Sequence, residues 1–494
     1  EFAKSPTVED WQRFEYYSRR IRRMRLGCLP ASTDFWSALA SAVLNRATHP
    51  TVQIDESPVL PIFPKLKSLE CDLREDNFEV CVLVINESPA LDSFALFADP
   101  GSAYEVELPS QPWVAVFSSL GNHGRPLKTL AIRPIMYDTE ARDVMDAKAD
   151  SLVQLIGRSP LQELILPRDA IMTEIIASAI SYLPTLKVLE VSDDWTIPDD
   201  YEAASVPHNA FSSLERLSGD IIPVKSLLTI PTFPSLAKLM IEDRDEEAHI
   251  AWFFVRDMIK AIGQNCPALE VLHVCVRPFF DEPGDSERAR RATTSVFTTL
   301  QGCPRLKDVL FDFSKTWFSD ASSAEEDVNM SDAQWEQLAE AWPDLTSVRF
   351  WMGRPDEDCG WFEFAPRPIA TLRTISSFFR HCPKLFSFSV PIFARGGEAR
   401  TALVEVSPKQ GPTQLDFRGS WIDTEDVQGV AIFLASQSPH QETEIRIHLP
   451  EEPYVPNLLV LQGRAIDVAQ YEGWQEMKQL VESARTTDKP GGHD

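Results

Sequence analysis

The sequence predicts an α/β solenoid, a stack of strand-plus-helix units with parallel strands on a concave face and helices on a convex one. Three observations carry that expectation. A short strand signature recurs along most of the chain, helix-spaced apolar runs fall between its copies, and a proline stands at many of the passages from helix to strand.

The signature is (Cys/Phe/Leu/Trp)-Pro-x-Leu-x-x-apolar-x-apolar. It reads FPKLKSLEC from Phe63, LPTLKVLEV from Leu183, FPSLAKLMI from Phe233, CPALEVLHV from Cys266, CPRLKDVLF from Cys303, WPDLTSVRF from Trp342 and CPKLFSFSV from Cys382. With the Leu as origin, thirteen candidates are Ile21, Leu66, Leu91, Leu127, Leu161, Leu186, Leu214, Leu236, Leu269, Leu306, Leu345, Leu385 and Leu415. Position +3 is apolar in twelve and position +5 in eleven; Arg418, Gly219 and Ser420 are the exceptions. Such alternation is the period of a half-buried strand. The copies lie 22 to 45 residues apart, so the units are irregular and carry insertions.

Between the strands, Met172, Ile175, Ile176, Ala179, Ile180 and Leu183 recur at helix spacing. So do Trp252, Val255, Met258, Ile259 and Ile262, then Leu372, Ile375, Phe378 and Phe379, then Val427, Val430, Ala431 and Leu434. Each helix is expected to stop at or before the next x-Pro, because proline cannot extend a helix and biases the residue before it toward an extended conformation. One strand and one helix cannot bury their apolar faces alone, so neighbouring units must stack into a continuous core. The expected organisation is an N-terminal cap and first repeat over 1–60, irregular repeats over 61–420, and a C-terminal cap over 421–494. That cap contains a strand over Glu444–His448 and an amphipathic helix over Tyr471–Ala484, with Trp474, Met477, Leu480 and Val481 on one side; 485–494 read as a disordered tail.

The Leu-x-x-Leu-x-(Leu/Ile/Val) core and the Cys-Pro starts at Cys266, Cys303 and Cys382 resemble the cysteine-containing leucine-rich repeats of F-box proteins. With DWQRFEYYSRRIRRMRL (Asp10–Leu26) opening the first repeat, the chain resembles, more narrowly, the fungal (basidiomycete-type) F-box-associated repeat proteins. The resemblance covers roughly residues 10 to 450. It implies a leucine-rich-repeat horseshoe and a non-enzymatic role, the substrate-recognition part of an F-box-type ubiquitin-ligase adaptor. An F-box, with its Leu-Pro-x-Glu-like start, is not found in 1–494. Docking to a Skp-type linker is therefore expected only if an F-box lies upstream of Glu1.

Side chains alternate along a strand, so positions +2, +4 and +6 are expected on the open, concave side. They include Ala131, Ile165, Ser218, Asp220, His273, Cys275, Asp308, Leu310, Asp312, Ser347, Arg349, Trp351 and Ser389, a mixed face with more acid than base. Five long insertions follow strands: SDDWTIPDDYE from Ser192, EDRDEEAH from Glu242, RPFFDEPGDSERARR from Arg277, DFSKTWFSDASSAEED from Asp312 and WMGRPDEDCGWFEF from Trp351. In a solenoid, equivalent connections share one rim. This rim interleaves acid with aromatics, a pattern suited to protein recognition on a rigid scaffold. The candidate partner-binding residues are Trp195, Asp199, Asp200, Glu242, Asp243, His273, Phe279, Phe280, Asp312, Trp317, Phe318, Arg349, Trp351 and Trp361. The competing reading is that the aromatics tuck back onto the solenoid edge and the acids are merely solvated.

The chain carries 47 Lys+Arg against 74 Asp+Glu, a net charge of −27. That excludes non-specific nucleic-acid binding and adhesion to anionic membranes, both of which need net positive charge. It favours a protein partner with a basic patch. Eight cysteines without a CxxC pair are not a disulfide scaffold, and no secretory h-region or membrane-length apolar run is present. The expected location is therefore cytoplasmic or nuclear, and the expected state a monomer. Arg19–Arg25 alternates as a first strand would. Cys266, His273 and Cys275 lack zinc-ligand spacing, so no metal is expected there. Gly121-Asn122-His123-Gly124 reads as a turn, and no HExxH, GxSxG or GxGxxG motif occurs, so no cofactor or catalytic residue is expected.

Overall fold

The computed structural model describes residues 8–26, 61–72, 78–97, 110–122, 126–132, 142–167, 174–192, 210–228, 233–242, 250–276, 278–279, 296–313, 330–352, 368–394, 414–417, 420–422, 427–437, 444–446, 473 and 475–483. The chain divides into two compact units, Glu1–Leu217 and Ser218–Asp494. Each has the expected α/β solenoid arrangement, with strands side by side in chain order and helices packed on their neighbours.

In the first unit, helix α1 (Val8–Ser18) leads into β1 (Arg23–Leu26). Then follow β2 (Ser68–Asp72), α2 (Phe78–Asn86), β3 (Ser93–Phe97), α3 (Ser110–Asn122), β4 (Thr129–Ile132) and α4 (Arg142–Arg158). β5 (Glu163–Pro167), α5 (Glu174–Ser181) and β6 (Val188–Ser192) complete it, and β7 (Arg216–Gly219) lies at its end. Strands β1 to β6 pair in parallel. Only β1 of the basic run is a strand from Arg23, and Gly121 and Asn122, expected in a turn, are the last residues of α3.

The second unit runs α6 (Ile221–Leu228), β8 (Lys238–Glu242), β9 (Ile250–Ala251), α7 (Trp252–Asn265), β10 (Val271–Cys275) and β11 (Pro278–Phe279). A 3-10 helix (Val296–Gly302), β12 (Asp308–Phe313), α8 (Asp332–Ala341), β13 (Ser347–Met352) and α9 (Leu372–His381) follow. The last elements are β14 (Ser387–Ser389), β15 (Phe393–Ala394), β16 (Gln414–Asp416), β17 (Trp421–Ile422), α10 (Val427–Gln437), β18 (Glu444–Arg446) and a helical stretch over 475–483. The sheet order is β8-β10-β12-β13-β14-β16-β18, parallel throughout. The strand expected over Glu444–His448 thus joins the repeat sheet. Residues 484–494, including the expected disordered tail, lie outside the described residues, as does Trp474. Met477 and Val481, four residues apart, are both fully buried.

The local physics of one unit is the same throughout. The Leu N–H donates to the carbonyl of position −3, as in Leu269 to Cys266, Leu306 to Cys303, Leu345 to Trp342 and Leu385 to Cys382. Proline occupies the second position of that turn, where its fixed φ suits the bend and its missing N–H is not needed. The Leu origins from Leu66 to Leu415 are 0–6% exposed, and β10 alternates half-buried and buried residues along its length. Gly219, which breaks the +5 pattern, has φ 149, a conformation that favours glycine.

The −3 residue does more than fill space. A helix leaves its last carbonyls without partners, and −3 side chains supply them. The Cys303 thiol points at the Ile262 carbonyl (3.6 Å), the Cys382 thiol at those of Ala339 and Trp342 (3.5 and 3.4 Å), and the Trp342 indole N–H donates to Leu300 (3.2 Å). Burial pushes the Cys303 and Cys382 thiols up to about 12, so both remain protonated donors. Among the described residues every cysteine is free, and no helix is long and apolar enough to cross a membrane.

An aromatic cluster fills the second unit. Phe297 meets Phe311 and Phe350 edge-on, at centroid distances of 5.0 and 4.9 Å, and Trp335 meets Phe350 at 5.6 Å. Beside it, α7 and the 3-10 helix touch backbone to backbone: a Cβ added at Gly263 would collide with the Thr299 carbonyl, and one at Gly302 with the Gly263 carbonyl. Replacing a mid-helix glycine with alanine ordinarily stabilises by about 1 kcal/mol. Gly263→Ala is expected instead to destabilise by roughly 1–3 kcal/mol, because backbone cannot move aside as a side chain can. A urea titration decides the sign; a stabilised variant contradicts the close approach.

Candidate functional site

The exposed side of the β8–β14 sheet is a grid whose rows are set by the strand register. One row holds Lys238, Val271, Asp308, Ser347 and Ser387; the next holds Met240, His273, Leu310, Arg349 and Ser389; the last holds Glu242, Cys275, Asp312 and Trp351. Alternate residues, among them Leu272, Val274, Val309, Phe311, Val348 and Phe350, face the core and are at most 3% exposed. The grid therefore rests on a close-packed floor, which limits how far its side chains can shift.

Asp308 is the centre of the grid. His273 and Arg349 stand one row further along the two flanking strands, and both lean diagonally back to it. His273 Nε2 lies 2.8 Å from Asp308 Oδ2, and Arg349 NH2 donates to Asp308 Oδ1 at 3.1 Å. Ser347 adds a third hydrogen bond to the same carboxylate. Burial by itself raises the Asp308 pKa; the His273 hydrogen bond, the Arg349 charge, the His273 charge and Ser347 together outweigh it and bring it down to about 2. The Arg349 Nε is buried and finds no acceptor among the described residues. Next to this cluster, the Trp351 indole N–H donates to Ser389 Oγ at 2.9 Å, fixing the ring at the end of β13.

Cys275 sits between Glu242 and Asp312 in the last row. Burial, then the charges of Asp312 and Glu242, push its thiol up to about 11 against the opposing pull of Arg349. Nucleophilic and metal-binding chemistry both need the thiolate, so Cys275 is poorly suited to either. Cys266 is fully buried at position −3, and burial followed by its neighbour Cys303 raises its thiol further. The Cys266, His273 and Cys275 trio is thus split between the core and two rows of the open face.

Of the candidate partner-binding residues, Glu242, His273, Asp312, Arg349 and Trp351 fall on four strands of this one face. Phe279, expected in an open loop, has its backbone in β11, which pairs in parallel with β9 at Ala251, so two insertions zip together there. Trp195, Asp199, Asp200, Asp243, Phe280, Trp317, Phe318 and Trp361 lie outside the described residues. Several positions expected to be open are buried: Ala131 and Ile165 in the first unit, and Leu310, Ser389, Ser218 and Asp220. Leu310 shows the reason. It stands in one row between His273 and Arg349, whose side chains close over it to reach Asp308. Asp308 was legible only as a member of the exposed set. Its central role follows from the diagonal offset between neighbouring strands, which the zero-shift register of the repeat makes computable.

No family model matches the chain, and no curated protein does. Among solved structures, it is similar to a chain in the crystal structure of the Rad7 and Elc1 complex in yeast, at 13% identity over 67% of this chain and 76% of that one, with a TM-score of 0.31.

The depressed Asp308 pKa makes stability pH-dependent. Its folded value lies below its ordinary 3.8, so its contribution, about 2 kcal/mol, is complete above about pH 4 and disappears as the pH falls through about 2. Asp308→Asn is expected to be less stable than the parent at pH 6. That gap is expected to shrink between about pH 4 and pH 2, as followed by urea midpoints. A gap that stays constant across the window rules out the paired carboxylate.

Proposed function

We propose that this chain is a non-enzymatic module that binds a protein partner across the open face of the β8–β14 sheet. The observation that carries the reading is the His273–Asp308–Arg349 cluster beside Trp351. It is a fixed, half-buried arrangement of charge and aromatic surface, with an arginine donor still unused, on a face that no helix covers. Arg and Trp are the side chains that concentrate binding energy in interfaces when a rigid scaffold presents them. Four of the long insertions leave the C-terminal ends of β8, β10, β12 and β13, at the row that ends in Trp351. A partner lying on the grid therefore meets them as well.

The resemblance to F-box-associated repeats makes the specific role a substrate-recognition arm of a ubiquitin-ligase adaptor, acting in the cytoplasm or nucleus. The net charge of −27 favours a second reading, a free-standing acidic scaffold that captures a basic protein. The two readings separate on whether the native full-length protein co-purifies with a Skp-type linker and cullin. They also separate on whether the partner's association rate falls steeply with salt, as attraction to a uniformly acidic surface requires.

The face itself is tested by a photo-crosslinking residue at Val271, on the grid, compared with one at Ile432, exposed on α10. A crosslinked protein is expected from Val271 and not from Ile432. The yield is expected to fall about tenfold in Arg349→Glu and in Trp351→Ala, the loss of roughly one interfacial hot spot. Equal crosslinking from both positions, or yields untouched by either substitution, sinks the assignment of this face.

A further inference from the structure

A second cluster lies on the helical side of the second unit. Glu336 and Glu340 stand one turn apart on α8, and His381 is the last residue of α9; one donor atom of each falls within 4.8 Å of the others. We propose that these three side chains form a binding site for a divalent transition-metal ion of the zinc type.

Four features point that way. The His381 Nε2 is buried and has no hydrogen-bond partner. It lies 3.8 Å from Glu336 Oε1 and 3.8 Å from Glu340 Oε1, equidistant from both and bonded to neither. A histidine that simply pairs with a carboxylate closes to hydrogen-bond distance, as His273 does with Asp308 at 2.8 Å. Donors held around a zinc ion at about 2.1 Å with tetrahedral angles lie about 3.4 Å apart, so an ion seated here draws each donor in by only a few tenths of an ångström.

The glutamates themselves are placed against their electrostatics. Like charges at i and i+4 repel. Both also sit in the C-terminal half of α8, whose last turn carries no basic residue and whose macrodipole disfavours negative charge. A shared cation relieves both effects. The one competing cation is Arg380, whose NH1 lies 3.4 Å from Glu336 Oε1. It touches a single carboxylate and leaves Glu340 and the imidazole unserved.

The helices are clamped independently of the site, so the donors are positioned before any ion arrives. At the N-terminal ends, Asp332 accepts from the Thr371 N–H (2.7 Å), the Thr371 hydroxyl (2.7 Å) and the Thr374 hydroxyl (2.6 Å). Midway, Trp335 packs against Phe378 at 5.9 Å, and beyond His381 the Cys382 thiol reaches the Ala339 carbonyl. Two carboxylates and one imidazole leave a coordination position open, and this donor set suits zinc or a similar borderline ion better than magnesium or calcium.

The test is a Zn2+ titration of the chelator-treated full chain against a chromophoric competitor, with the thiols kept reduced by a phosphine. The parent is expected to bind one equivalent more than either His381→Ala or Glu340→Gln, or to bind that equivalent at least about tenfold more tightly. Zn2+ is expected to raise the melting temperature of the parent but not of Glu340→Gln. Glu340 is exposed, so this substitution keeps the fold even if His381→Ala does not. Co2+ at the same site is expected to give visible d–d bands without a thiolate charge-transfer band. Equal stoichiometry and affinity in the parent and both variants, or a thiolate band accompanying the equivalent in question, overturns the proposal and assigns the metal to cysteines or scattered surface acids.

Discussion

One backbone constraint sets almost everything else. The carbonyl of the residue just after each Leu accepts two N–H groups from the next unit. Lys67 receives Asp92 and Ser93, Lys128 receives Gln162 and Glu163, Glu270 receives Lys307 and Asp308, and Lys307 receives Thr346 and Ser347. A carbonyl has two lone pairs and can hold both donors. The two bonds then fix each strand's starting point against its neighbour with no shift. A slip of one residue would turn every apolar side chain to the open face, so the shared carbonyl protects the core as well as the register. Side chains at the same position stack as a consequence, and opposite charges meet there: Lys128 with Asp92, Lys187 with Glu215 and Lys307 with Glu270. These pairs are exposed and contribute little on their own; they follow from the register rather than set it.

The −3 position links that ladder to the helical layer. Its carbonyl receives the Leu N–H while its side chain satisfies a carbonyl at the end of the preceding helix. Cysteine and tryptophan both work there because each joins an apolar body to one weak or single donor. This explains why residues so different in volume alternate at one place in the signature. Where Phe233 stands instead, the capping passes to another group: the Asn265 side chain donates to the Leu228 carbonyl at 2.8 Å, and its own carbonyl receives the Phe233 N–H.

What was legible in the sequence follows from what repeats. The Leu origins, the +3 and +5 apolar positions and the helix ends before Pro267, Pro343 and Pro383 are local and periodic, and the structure places them as expected. What escaped is pairwise and non-periodic. The Gly263–Gly302 backbone contact joins residues in different units, and a lone glycine in a helical pattern carries no sign of its partner. The β9–β11 pairing arises between two insertions. The burial of Leu310 depends on which residues flank it across the sheet, and the His381 cluster joins the end of one helix to the middle of another. Residue type alone marked Glu242, His273, Asp312, Arg349 and Trp351 as candidates. Only the register shows that two of them converge on Asp308.

The same constraint explains why the candidate site lies where it does. Each strand is pinned at its start, by the proline turn and the doubly used carbonyl, and little except the ladder itself holds its far end. Insertions can therefore be added after Glu242, Cys275, Phe313 and Met352 without disturbing the register upstream. The row that ends in Trp351 is the last one the core still supports from below, through Phe311, Phe313 and Phe350. It combines a rigid floor with freedom to vary beyond it, as recognition surfaces carried by loops on a scaffold require. The uneven distribution of acid along the chain has the same origin. Positions inside the ladder must tolerate a stacked neighbour and so favour alternating charge or neutral side chains. The insertions face no such limit, and runs such as EDRDEEAH and SSAEED concentrate there.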